Sequence, residues 1–143
     1  MSEDIHIRWG WLKFMYIYTI VGAGGIGLGI LVVPEFVKAL LNWPVNEPVV
    51  FGIAGSVWLG FGVLSIFGLR APLKFAPVLV LQLCYKSIWF IGNVLPLLIT
   101  GRFPSYGITT AIIFASYIVG DVIAIPFSYL IARQPAQQVQ LSH

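Results

Sequence analysis

A lysine and an aspartate stand in long apolar stretches of this chain, and each is accompanied by polar and aromatic residues at helical spacing. Gln82, Tyr85, Lys86, Trp89 and Asn93 recur three and four residues apart, which at about 100° per residue puts them on one stripe of a helix. Thr110, Tyr117, Asp121 and Ser128 repeat the pattern in the next apolar stretch as a narrower stripe. Lipid cannot satisfy such side chains, so both stripes are expected to face protein. A charge at the centre of a bilayer costs about 2.5 to 3.5 kcal/mol on insertion scales, so Lys86 and Asp121 are not expected to be incidental. Their types suit three tasks: neutralising one another, moving a proton to or from a bound group, or orienting the polar end of an apolar ligand.

The two stretches are expected to form an antiparallel hairpin around a turn near Arg102. At about 1.5 Å per residue, Lys86 and Asp121 then differ in depth by only about 5 Å, less than the reach of a lysine side chain. An ion pair between them is therefore expected. Two roles stay open: the pair locks two helices together, or the same residues line a pocket. In the second case Trp58, Tyr85, Trp89 and Tyr117 supply apolar walls, and Gln82, Lys86, Asn93 and Asp121 the orienting groups.

Other motifs point away from soluble chemistry. Gly22-Ala23-Gly24-Gly25-Ile26-Gly27 fits the dinucleotide-binding glycine pattern, but that fingerprint needs a strand before it and a helix after it. Here it lies inside an apolar stretch, where glycines instead let helix backbones approach, with Gly25 and Gly29 as a small-xxx-small pair. Gly55, Trp58, Gly62 and Ser65 share one face at helical spacing, so the first two helices are expected to pack closely. His6 and His143 lie at opposite ends with no second ligand at metal spacing, so no metal site is expected. With no histidine at membrane depth, a serine hydrolase constellation is disfavoured. Cys84 is the only cysteine, which excludes an intrachain disulfide and leaves it as a small apolar filler. No cofactor is implied.

Four elements must carry these residues: apolar stretches at 11–33, 49–69, 77–99 and 106–131, each long enough to cross about 30 Å of hydrocarbon. Only 9% of the 143 residues are charged, far below the roughly 25% of a soluble domain, so the chain is expected to be one membrane domain with short loops. The first stretch is too long for a signal-peptide core and lacks a small-residue cleavage site, so it is expected to remain in the mature protein. Pro34 and residues 42–48 break the first connection, residues 70–74 the second, and residues 101–105 make a tight third turn. Glu35 and Glu47 fall in the first connection as solvated carboxylates or the rim of an entrance. Arg8, Lys13, Arg70, Lys74 and Arg133 lie on one side against Lys38 and Arg102 on the other. The positive-inside rule thus places both termini in the cytoplasm. The net charge of +3 is spread along the chain, which suggests no nucleic-acid partner. The polar tail 134–143 is expected to be mobile.

Residues 55–70, GSVWLGFGVLSIFGLR, resemble the glycine-spaced second helix of small DoxX-like four-helix membrane proteins. The glycine-rich first helix and the overall size agree, and the resemblance covers roughly half the chain. It implies an all-α, polytopic four-transmembrane-helix bundle. That group is functionally mixed and includes subunits linked to quinone redox chemistry, so an activity transferred here is analogy at the level of fold. The expected partners are the lipid bilayer and a hydrophobic, quinone- or lipid-like small molecule in a cell membrane. Two alternatives stand beside this reading. One is a proton- or ion-coupled transporter acting as a homo-oligomer, with Asp121 loading the proton. The other is an accessory subunit of a larger membrane complex.

Overall fold

A computed structural model describes residues 5–44 and 47–132. Arg133, His143, Val45, Asn46 and the tail 134–143 lie outside the described residues. The described chain is all-helical, with four helices long and apolar enough to span a membrane: Trp9–Val32, Pro48–Arg70, Pro72–Ile99 and Gly107–Ala124. Each packs against its neighbours in sequence, and the fourth closes on the first, giving a four-helix bundle.

The breaks follow from local chemistry. Val33 leaves the helix before Pro34, and a short helix, Pro34–Leu41, ends on Asn42 in the left-handed conformation (φ 56°) that asparagine tolerates. Glu47 caps the second span, its carboxylate accepting from the N–H groups of Val49 (3.3 Å) and Val50 (2.6 Å). Only Ala71 separates the second span from the third, which starts at Pro72 and not at Pro77 as the hydropathy pattern suggests. Pro77 is accommodated near the helix start, where the carbonyl it meets, four residues back, belongs to the opening turns. The fourth span stops at Ala124 because Ile125 precedes Pro126 and is extended (ψ 125°), so Ser128 falls in a separate short helix, Phe127–Ile131.

Two spans contain a π-helical turn, at Ile20–Gly24 in the first and Phe90–Val94 in the third. Each inserts about one residue into the helix and so rotates everything beyond it by about 100° relative to an unbroken 3.6 period. The second of these turns surrounds Gly92, whose carbonyl the ring of Pro96 would otherwise crowd.

The first and second spans touch backbone to backbone. A Cβ at Gly62 would collide with Gly24, one at Gly27 with the backbone of Gly55 and Leu59, and one at Gly55 with Ile30. Gly25, by contrast, faces open space. The expected face of Gly55, Trp58, Gly62 and Ser65 is present, but its partner on the first span is Gly24 and Gly27, because the π turn rotates Gly25 outward. Cys84 is also exposed on the outer surface, not filling the core.

Candidate functional site

The third and fourth spans run antiparallel in a register fixed by three contacts. Gln82 meets Asp121, Lys86 meets Tyr117 and Trp89 meets Phe114. Along the third span these residues are four, then three, apart; along the fourth they are four, then three, apart in the opposite direction. The two polar stripes therefore face one another.

At the first contact lies a polar knot. Gln82 Nε2 donates to both oxygens of Asp121 (3.1 and 3.3 Å) and to Thr19 Oγ1 (3.3 Å), and Thr19 itself donates to the carbonyl of Met15 (2.7 Å). All three side chains are fully buried, so the knot ties the first, third and fourth spans together. Gln82 Oε1 has no hydrogen-bond partner among the described residues.

One turn along, Lys86 is 1% exposed and donates to Tyr85 Oη (2.8 Å). Its ammonium also lies over the rings of Tyr117 (4.3 Å), Tyr85 (4.4 Å) and Phe114 (5.1 Å). Desolvated cation–π contacts contribute up to about 2 kcal/mol each, enough together with one hydrogen bond to offset an insertion cost of about 2.5 to 3.5 kcal/mol. The expected Lys86–Asp121 ion pair is not made; among the described residues the salt bridge is Lys38–Glu35 (3.2 Å). The reason is the depth difference itself. About 5 Å is one helical turn, and the residue at the depth of Asp121 is Gln82, while Lys86 is level with Tyr117.

Tyr117 is anchored by the π turn of the first span. Its hydroxyl accepts from the N–H of Ala23 (3.0 Å) and donates to the carbonyl of Tyr18 (3.1 Å). A side chain at Gly22 would strike that hydroxyl, so the glycine makes the room the tyrosine occupies.

Beside the short helix, an open cavity of about 590 Å³ lies between the second, third and fourth spans. Its walls are aromatic: Trp43, Phe51, Trp58, Tyr85, Trp89 and Phe114, with Glu47 at the rim and Thr110 inside. Phe114 is the hub, edge-on to Trp58 (5.9 Å), Tyr85 (5.9 Å) and Trp89 (5.1 Å). Behind it lies a small inner chamber of about 20 Å³ whose wall includes Trp58, Tyr85, Lys86, Thr110, Phe114 and Tyr117.

The sequence-derived candidates thus divide into three groups. Trp58, Tyr85 and Trp89 line the large cavity, and Lys86 and Tyr117 stand at the inner chamber with Trp58 and Tyr85. Gln82 and Asp121 form the knot and line neither space. Asn93 is exposed and lines neither, because the π turn at Phe90–Val94 carries it outward and brings Val94, 4% exposed, to the inside. Glu47 does sit at the rim, whereas Glu35 pairs with Lys38 elsewhere. Phe114, Thr19 and Phe51 escape sequence reasoning, since a phenylalanine or threonine outside a polar stripe carries no signal of which way it points.

No protein-family model, curated protein or solved structure matches the chain. Function is therefore read from this geometry.

Proposed function

We propose that this multi-pass membrane protein binds a hydrophobic small molecule in the aromatic cavity between its second, third and fourth spans. The observation that carries this reading is the 590 Å³ space itself, which lies within the size range of small-molecule pockets and is walled by six aromatic side chains. Three of those aromatics converge on Phe114 and hold one another in place, so the cavity is built into the packing. A flat or chain-like lipidic molecule suits such walls. A quinone is the first candidate because the second span resembles that of DoxX-like proteins, a group that includes subunits linked to quinone chemistry. The setting is a cell membrane, with both termini cytoplasmic by the charge bias of the connections.

The polar knot supports a structural role for Asp121, since its carboxylate is occupied by Gln82 away from the cavity. That arrangement favours binding over proton-coupled transport, in which Asp121 would need a path to either side. Native mass spectrometry of the protein released from mild detergent tests the reading: a hydrophobic molecule should accompany the wild type and be depleted in Trp89→Ala. A wild type free of any bound molecule, and unable to take up added quinone or lipid, would refute it.

A further inference from the structure

The inner chamber and the hydrogen-bonding capacity around it say what the deep end of the ligand must be. About 20 Å³ holds one water-sized group, since a water needs roughly 10 to 15 Å³ by the same measure. The chamber shares Leu41, Trp58, Tyr85, Thr110 and Phe114 with the large cavity and reaches beyond it to the buried Lys86 and Tyr117, so the two spaces adjoin. The polar side chains of its wall are donors with capacity to spare. Lys86 has three N–H groups and, among the described residues, one acceptor, Tyr85 Oη. That hydroxyl, while accepting, keeps its own hydrogen to donate. Thr110 is 7% exposed and its hydroxyl has no partner among the described residues. Tyr117, the one other hydroxyl there, is engaged both as donor and as acceptor. Among the described residues, no carboxylate or amide side chain lines the chamber. A buried hydroxyl left without a partner costs about 1 to 3 kcal/mol, which an acceptor oxygen arriving in the chamber would recover. The free surface of the chamber is carbon, so an entering oxygen would have to draw the Thr110 hydroxyl and the Lys86 ammonium toward it.

The charge of that oxygen follows from the surroundings. A carboxylate head would put a second acid group into the apolar core that already holds Asp121, at the cost of desolvating it there. Glu47 at the rim adds a third along the entry route. A neutral oxygen disturbs neither. We propose that the ligand carries a neutral carbonyl oxygen at its buried end, seated beside Thr110 and Lys86, with its apolar body lying along Trp58, Trp89 and Phe114 toward the rim. This rests on the cavity being the binding site.

The test titrates the full chain in nanodiscs with three probes of equal chain length, a long-chain methyl ketone, the corresponding alkane and the corresponding fatty carboxylate. Occupancy of each probe, read by native mass spectrometry of the released protein, serves as readout. The ketone should bind at least tenfold more tightly than the alkane in the wild type, and the ratio of the two affinities should fall to near one in Thr110→Val. Lys86→Met should do the same, and the isosteric threonine variant keeps the test valid if the lysine variant does not fold. Equal binding of ketone and alkane would overturn the carbonyl subsite while leaving the pocket, with a water in the chamber. Tighter binding of the carboxylate would overturn its neutrality. Failure of all three probes to bind the wild type would remove the pocket and the subsite together.

Discussion

Replacing Gln82 by leucine should be among the most damaging single changes in this protein, although it alters no cavity wall. Gln82 Nε2 is the sole hydrogen-bond donor to the Asp121 side chain among the described residues, at 3.1 and 3.3 Å, and it also reaches Thr19. A hydrogen bond to a charged group contributes about 1.5 to 3 kcal/mol, and a buried charge stripped of its partner costs about 3 to 5 kcal/mol. Neutral interhelical hydrogen bonds in a bilayer average only about 0.6 kcal/mol. The expected loss for Gln82→Leu is thus about 3 kcal/mol, more than a hundredfold in the unfolding equilibrium. In a double-mutant cycle with Asp121→Leu, the double variant should be less damaged than the two single losses predict, because both partners of the desolvated group are gone. Lys86→Met in the same cycle should couple to Asp121→Leu more weakly than Gln82→Leu does, since the two side chains do not touch. Reversible unfolding in bilayers or mild detergent measures all of these. A loss for Gln82→Leu below about 1 kcal/mol, or strict additivity with Asp121→Leu, would refute a buried carboxylate held by Gln82.

Three further outcomes are expected. Gly62→Leu should destabilise the fold by several kcal/mol because it would force Gly24 away, whereas Gly25→Leu should stay within about 0.5 kcal/mol; equal effects in thermal unfolding would mean the helix interface is misplaced. Asn93→Ala should leave both ligand retention and stability at wild-type levels, since Asn93 is exposed beyond the π turn, and loss of either in native mass spectrometry or unfolding would return it to the site. Reporters fused at either terminus should read cytoplasmic and one in the connection 42–48 external, with termini on opposite sides contradicting four crossings.

The architecture was legible because hydropathy length and proline breaks act locally. Four spans, the close face of Gly55 and Gly62, and the inward stripe from Gln82 to Trp89 all follow from a regular 3.6 period. What was not legible lies beyond the π turns. One inserted residue at Phe90–Val94 turns Asn93 outward, and one at Ile20–Gly24 exchanges Gly25 for Gly24 at the helix contact. Neither insertion leaves a periodic trace, because Ile20–Gly24 carries no polar side chain and the single one at Phe90–Val94, Asn93, also fits an unbroken 3.6 period. The ion pair failed for a different reason. A depth estimate good to one turn cannot distinguish Gln82 from Lys86 as the neighbour of Asp121, and one turn is the distance that decides it. Phe114 and Thr19 show the remaining limit, since a single phenylalanine or threonine outside a polar stripe reads the same whether it faces lipid or the core.

The measurement closest to the central claim fills the cavity without dismantling its walls. Ala54 lines the 590 Å³ space from the second span and is only partly buried, so Ala54→Trp places a large side chain in the void while the Phe114 hub and the polar knot stay intact. Ligand occupancy by native mass spectrometry and thermal stability are measured on the same preparation. The account predicts near-wild-type stability with the bound hydrophobic molecule lost; a stable Ala54→Trp protein that retains its ligand at wild-type occupancy would contradict it.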